Sequence, residues 1–231
     1  MAAGNCAQVL DHITSAGPEL SERVAEVPGA LATLVSSVAD GPAADSPSLQ
    51  DRAKRSSLAL ARMTKARPDI ARRVAELPGA LATLGAAVAA CSVVGTPNLQ
   101  DAAAASCLAL ADISKAGPDL ARRVVEVPGV LASLVAAMAW AGTSATPSAQ
   151  DGAESNSVAL AIIAADGADL ARRVAEVPGA LAALVATVAA GGIAAAPHLR
   201  NAAANSAVAL AQAAQADPDL VRRLAEVPGA L

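Results

Sequence analysis

Hydrophobic residues recur along this chain with the spacing of an α-helix, and polar residues fill the positions between them. In the segment GPDLARRVVEVPG (residues 117–129), Leu120, Val124 and Val127 fall at i, i+4 and i+7, which places them on one helical face. Pro128 cannot continue that helix because it has no backbone N–H to donate. The pattern predicts a short amphipathic helix that ends before Pro128, where a second helix begins.

The residues that follow predict two longer helices. The stretch PGVLASLVAAMA places Leu131, Leu134 and Met138 on one side of a helix. After the loop WAGTSATPS, the stretch SAQDGAESNSVALAIIAADG extends to Gly167, a residue type that commonly ends helices. Residues 117–166 therefore predict three consecutive helices, which are short, medium and long.

The whole pattern recurs every fifty residues along the 231-residue chain. Close copies of ARRVAEVPGAL begin at Ser21, Ala71, Ala121, Ala171 and Val221. Ordering one unit costs on the order of 1–2 kcal/mol per residue, whereas each of its roughly ten large aliphatic side chains contributes about 1.5–3 kcal/mol when buried. We therefore expect the units to be stable only when they stack and bury their apolar faces jointly.

These patterns predict an all-α fold with a single repeat domain over residues 1–231. Four full repeats are predicted, with a partial repeat at each end: 1–16, 17–66, 67–116, 117–166, 167–216 and 217–231. A terminal unit normally presents a polar cap, and none is visible before Leu231. We therefore expect the sequence to be a fragment of a longer array or the product of a shortened gene model.

The composition limits how a core can be built. Hydrophobic residues make up 54% of the chain, yet it contains no Phe and no Tyr, and Trp140 is its one aromatic residue. The core must consist mainly of Ala, Leu and Val, which suits closely approaching helices because Ala is small and the strongest helix former. Trp140 either anchors a partner protein or fills a local apolar gap.

The charge balance points away from nucleic acid as a partner. The formal net charge is −4, whereas nucleic-acid-binding surfaces are usually basic. The uncharged residues 178–197 are long enough to cross a membrane, but they are mostly Ala and Gly, and the equivalent earlier segment carries Asp40 and Asp45. We expect a protein or peptide partner, no nucleic acid and no membrane span.

The cysteine content indicates a reducing compartment. Cys6, Cys91 and Cys107 are odd in number and form no CxxC pair, which is typical of buried thiols in such a compartment. The amino terminus turns polar at once and carries no signal-peptide pattern. We expect an intracellular protein, either cytoplasmic or nuclear.

The sequence contains no catalytic or metal-binding pattern. His12 and His198 are the only imidazoles, and the other units lack His at the equivalent positions. Phosphate-binding loops and the GxSxG and HExxH motifs are missing from the sequence, and its cysteines are not clustered with other metal ligands. We expect no enzymatic activity, no cofactor and no metal.

Two stretches of the repeat resemble a known family. VAEVPGALAALVATVA (174–189) resembles the armadillo phrase in which Gly-Ala-Leu follows a short first helix, and LQDAAAASCLALADISKAG (99–117) resembles the Ala-rich third armadillo helix. The chain is thus similar to the armadillo-repeat family over nearly its whole length, with HEAT repeats as near neighbours. Its fifty-residue period exceeds the usual period of about forty. The resemblance implies a right-handed α-solenoid whose third helices line a concave groove for extended peptides.

In armadillo proteins of the importin type, columns of Asn and Trp along that groove hold the peptide. The matching Asn column here is His12, Arg62, Asp112, Ile162 and Gln212. The matching Trp column here is Gln8, Leu58, Leu108, Val158 and Val208. Because neither column has the family's residues, the resemblance does not imply that this chain binds nuclear localisation signals.

Arginine pairs recur at the same position of successive units. They are Arg72 with Arg73, Arg122 with Arg123, Arg172 with Arg173, and Arg222 with Arg223. One interpretation is a ladder that grips an acidic peptide or phosphate. The other interpretation is a solvent-exposed face whose arginines are neutralised by acidic residues four positions away on the same helix. The sequence favours this second interpretation.

Positions that differ between otherwise copied units are candidate site residues, because packing does not determine them. On the predicted groove helices they are Arg55, Arg62, Asp112, Glu154, Asn156, Asn205 and Gln212. A copied framework without catalytic residues predicts a protein-interaction scaffold that binds its partner through this groove and the variable loops. The alternative is an accessory domain of a larger enzyme, such as a ubiquitin ligase or a kinase.

Overall fold

The computed structural model of the protein describes residues 9, 12–41, 46–94, 96–143, 147–193 and 196–230. Within these ranges the regular secondary structure is entirely α-helical and no strand occurs, so the prediction of an all-α protein is confirmed. The predicted partial repeats at the two ends lie partly outside the described residues. Cys6 and the side chain of Cys91 also lie outside the described part.

From residue 18 onward the helices follow one another with short connections. In chain order they are α1 (Pro18–Glu26), α2 (Ala30–Asp40), α3 (Pro47–Ala66), α4 (Pro68–Glu76), α5 (Ala80–Val94), α6 (Pro97–Lys115), α7 (Pro118–Glu126), α8 (Val130–Thr143), α9 (Pro147–Ala165), α10 (Ala168–Glu176), α11 (Ala180–Ile193), α12 (Pro197–Ala216) and α13 (Pro218–Ala225). They recur as a short helix, a medium helix and a long helix. The long helices α3, α6, α9 and α12 carry the candidate site residues.

A tight turn joins each short helix to the medium helix after it. Between α1 and α2, the N–H of Ala30 donates to the carbonyl oxygen of Val27 at 3.1 Å, and Pro28 and Gly29 occupy the two central positions. Gly29 has φ 78° and ψ −5°, which fits the third residue of a type II turn and favours glycine there. The Pro-Gly pair of every repeat is thus explained by backbone geometry.

The long and medium helices pack as two layers with the core between them. Each long helix contacts the long helix of the next unit, in the order α3, α6, α9 and α12, and the medium helices contact one another in the same way. The largest completely buried side chains are Leu34, Leu60, Met63, Ile70, Leu84, Leu110, Ile113, Leu120, Leu134, Met138, Leu160 and Ile163. Burial of these aliphatic side chains between consecutive units is the main stabilising contribution.

The second arginine of each pair joins its unit to the preceding one. Its guanidinium donates to a backbone carbonyl in the last turn of the preceding short helix. These bonds join Arg73 to Ala25 (2.7 Å), Arg123 to Ala75 (2.8 Å), Arg173 to Val125 (3.2 Å) and Arg223 to Ala175 (3.4 Å). Carbonyls at a helix end lack partners within the helix, and a cation there interacts favourably with the helix dipole.

In three of the four pairs, the first arginine contacts an acidic residue of the next unit. These contacts join Arg72 to Asp119 (2.7 Å), Arg122 to Asp169 (3.8 Å) and Arg172 to Asp217 (3.3 Å), whereas Arg222 pairs with Asp219 of its own helix. The sequence pattern predicts a different set of partners, namely acidic residues four positions away on the same helix. The structure differs because stacking brings the next unit's carboxylates and the preceding unit's carbonyls within reach.

We expect Arg123→Gln to lower the free energy of unfolding by about 1 kcal/mol, because the Ala75 carbonyl then loses its charged donor. The matched control is Arg122→Gln, which removes the neighbouring charge and only a long, exposed contact with Asp169. That control should change stability by less than about 0.5 kcal/mol. Urea unfolding followed by circular dichroism measures both, and equal effects would contradict a role for the carbonyl contact.

No single helix in the described ranges is both long enough and apolar enough to cross a membrane. Two helix pairs reach the required length and composition only together, α7 with α8 and α10 with α11. Each pair is sharply bent at its Pro-Gly turn, by 83° and 91° respectively.

Candidate interaction groove

A row of apolar side chains runs across the solvent-facing side of the long helices. Its members are Leu58, Leu108, Val158 and Val208, one from each long helix, and we call them the apolar row. Leu108 is 40% exposed and Val208 is 46% exposed, whereas Leu58 and Val158 are partly buried against the core. The row exists because the long helices pack side by side and the same position of each helix faces outward.

Three members of the apolar row line one open groove. Leu58, Leu108 and Val158 form its apolar part, and the groove has a volume of about 440 Å³. We call this feature the central groove. It crosses α3, α6 and α9, so a segment bound in it would run across the helix axes rather than along them.

Charged and polar side chains stand at the rim of the central groove. The ammonium of Lys54 on α3 lies 2.6 Å from the carboxylate of Asp101 on α6. On the other side, Glu154 of α9 accepts from Asn201 at 3.0 Å and lies 2.7 Å from Nδ1 of His198, both on α12. An apolar centre with a polar rim is the arrangement typical of protein interaction surfaces.

The predicted site residues occupy different environments on the same helices. Among them, Glu154 alone lines the central groove. Arg55 is partly buried and its Nε donates to Asp51 of the same helix at 2.8 Å. The remaining partly buried candidates are Arg62 on α3, Asp112 on α6, and Asn205 and Gln212 on α12.

Asp112 on α6 has a perturbed acidity. Burial raises the pKa of its carboxyl group because it disfavours the charged form, and the ammonium groups of Lys65 and Lys115 oppose that effect. Asp112 lies one helical turn beyond Leu108 on α6, beside the apolar row. It adds a second polar boundary to the same face.

Asn156 requires a correction, because its side chain is not on the exposed face. It is only 2% exposed and lies between α9 and α6, where its Nδ2 donates to the Gly152 carbonyl at 2.7 Å. Its Oδ1 accepts from the Cys107 thiol at 2.7 Å. Variation at this position therefore reflects packing between units rather than contact with solvent. Asn156 lies two positions before Val158, and this spacing places the two side chains on opposite sides of α9.

The sequence pattern does not identify most of the groove. Lys54, Asp101 and His198 are not among the predicted site residues, although the structure places all three at the rim. The apolar row does leave a signal in the sequence, since its members belong to the matched tryptophan column. The sequence shows only that these positions lack tryptophan, because an exposed column of aliphatic residues cannot be distinguished from a buried one without the structure.

The described residues show no arrangement that points to metal chemistry. Among them, no group of three or more His, Cys, Asp or Glu side chains could hold a metal ion. Cys107 is buried, and Trp140 packs with Leu199 against Ala153 and Ala202. The structure thus supports gap filling by Trp140.

No family model matches the chain, and no curated protein matches it. The five copies of the repeat can instead be compared with one another.

Proposed function

We propose that this protein is an armadillo-like, right-handed α-solenoid that acts as a protein-interaction scaffold, with the central groove as its binding site for a partner segment. Helices that recur every fifty residues and long helices that contact one another in order support the solenoid. The observation that carries the function is the apolar row. Large apolar side chains aligned on one exposed face mark interaction sites more often than isolated ones do.

The groove favours an extended partner segment with apolar side chains. Neighbouring helices pack about 8–10 Å apart, and an extended chain advances about 3.3 Å per residue. About every third residue of such a segment would therefore meet one member of the apolar row. Burial of Leu108, which is 40% exposed, contributes to affinity as apolar surface leaves water.

The charge distribution around the groove favours one orientation of that segment. On α3, Lys54 stands at the rim and Arg55, Arg62 and Lys65 lie elsewhere on the same helix, whereas Glu154 stands at the rim on α9. An acidic end of the partner over α3 and a basic end over α9 would complement these charges. Complementary charge mainly sets orientation and association rate rather than total affinity.

We expect Leu108→Asp to weaken partner binding by about tenfold or more, because it places a carboxylate in the apolar part of the groove. Proximity labelling in the source cell, with wild type and variant side by side, identifies the proteins that depend on this position. The dependent segment is then synthesised, and its dissociation constant is measured by fluorescence anisotropy.

The matched control for this experiment is Ala136→Asp, which adds the same charge at an exposed position of the medium helix α8. It should keep every partner that wild type binds. If both variants retain all partners, or if the purified protein turns over a substrate without any bound partner, the scaffold proposal is wrong.

A further inference from the structure

An exposed glutamate ends each short helix and is identical in all five copies of the repeat: Glu26, Glu76, Glu126, Glu176 and Glu226. It belongs to the closely copied segment that also contains the repeated arginine, proline and glycine.

Structural contacts explain the neighbours of this glutamate but not the glutamate itself. Pro28 and Gly29 form the turn, and Arg73 holds the carbonyl of Ala25. No hydrogen bond or ion pair joins any of the five carboxylates to another group in the part of the chain that the structure describes. The pKa of Arg72 is raised mainly by its hydrogen bond with Asp119, and the more distant charge of Glu76 adds only a smaller effect.

Opposing electrostatic effects act on these carboxylates. The partial negative charge of a helix carboxyl terminus disfavours an acidic side chain by about 0.3–1 kcal/mol. In α1 the residue four positions earlier is Glu22, whereas the other four copies have arginine there, and an arginine at that spacing offsets part of the cost. All five carboxylates are exposed, so a cation of a partner protein can reach them.

Glu26, Glu76 and Glu126 line two equivalent clefts where consecutive units meet. One cleft, of about 310 Å³, lies between α1 and α4, and its equivalent between α4 and α7 has about 380 Å³. We call them the junction clefts. Glu76 lines both, so the two clefts together have three carboxylates and two guanidinium groups, those of Arg73 and Arg123. Each of these guanidinium groups already donates to a backbone carbonyl of the preceding short helix.

We propose that the junction clefts form a second interaction surface, separate from the central groove, which binds an extended arginine-bearing segment of a partner protein with one guanidinium in each cleft. Arginine fits both parts of a cleft. Its planar guanidinium forms paired hydrogen bonds with carboxylates, and its aliphatic stem packs along apolar surface such as Val27. Consecutive clefts are one unit apart, about 8–10 Å, so arginines at every third residue of an extended chain match them.

The test uses the 231-residue chain and synthetic peptides of about twelve residues, four of them arginine. One peptide has arginine at every third position, and the other has the same composition with its arginines in one block. We expect the spaced peptide to bind wild type more tightly than the block peptide, and more weakly as salt is raised. Fluorescence anisotropy measures the dissociation constants.

The decisive variant is Glu76→Gln with Glu126→Gln, which removes both carboxylates that line the cleft between α4 and α7. It should bind the spaced peptide at least about fivefold more weakly. Glu19→Gln, which neutralises an exposed carboxylate elsewhere on α1, should bind like wild type. The double variant should melt no lower than wild type, because both carboxylates are exposed and the described residues give them no hydrogen bond.

Four outcomes would overturn this proposal. Three of them are equal binding by the double variant and wild type, equal binding of the spaced and block peptides, and a lower melting temperature of the double variant. The groove variant Leu108→Asp separates the two surfaces, since it should leave binding of the spaced peptide unchanged. A loss of that binding in Leu108→Asp would place the peptide in the central groove and also refute the junction clefts.

Discussion

Replacing Leu110 with alanine is expected to lower the free energy of unfolding by about 2–5 kcal/mol. Leu110 is completely buried on α6, where it belongs to the continuous core between the two helix layers. The substitution removes apolar contacts and leaves a cavity that neighbouring helices fill only in part. Because each unit depends on its neighbours, urea unfolding of the whole chain measures the loss as a lower midpoint.

The matched control for this substitution is Leu108→Ala, two residues earlier on the same helix. Leu108 is 40% exposed and belongs to the apolar row, so its truncation should change stability by less than about 1 kcal/mol. Partner binding should show the opposite order, with Leu108→Ala weakening it and Leu110→Ala leaving it intact in the folded fraction. Similar stability losses in the two variants would contradict the placement of Leu108 outside the core.

Gly85→Val is expected to destabilise the protein by about 1–3 kcal/mol through overpacking between units. A Cβ added at Gly85 would lie 2.5 Å from Cγ2 of Val130, which is nearly completely buried. The other medium helices have valine where α5 has Gly85, and the residue forty-five positions after each of these valines is alanine, at the position equivalent to Val130. The junction between α5 and α8 thus exchanges a large and a small residue while keeping their combined volume.

The double variant Gly85→Val with Val130→Ala restores the pair found at the other junctions. It should recover the stability of wild type or exceed it, because glycine inside a helix costs about 1 kcal/mol relative to alanine. Val130→Ala alone should be destabilising, since it leaves a cavity beside Gly85. Thermal and urea unfolding of all four proteins give the coupling energy directly. Additive losses would show that the two positions do not pack against each other.

The sequence could predict helices because their signals are local. Period-3.6 spacing, as in Leu120 and Val124, and turn chemistry at Pro128 act within a few residues. The observed short helix ends at Glu126 and the medium helix begins at Val130, as this local chemistry requires. The ion pairs of the arginines were not predictable in the same way, because their partners lie nearly fifty residues away and become neighbours only in the stacked chain.

The candidate site also depends partly on local sequence and partly on packing between units. Variation between units identified Glu154, which lies at the rim, and also Asn156, which is buried. Comparison of the copies shows that a side chain differs between units. It does not show which side of the helix faces the neighbouring unit. The charged rim residues Lys54 and Asp101 come from different units, so their pairing exists only after α3 and α6 pack together.

Local signals in the chain specify the helices, their fifty-residue recurrence and the Pro-Gly turns, because backbone propensity and aliphatic spacing are short-range properties. Packing between units sets which face of each long helix remains open, how Gly85 accommodates Val130, and which clefts Glu26, Glu76 and Glu126 line. These outcomes depend on the distance and angle at which units stack, and they are set by packing of side chains that are far apart in the chain.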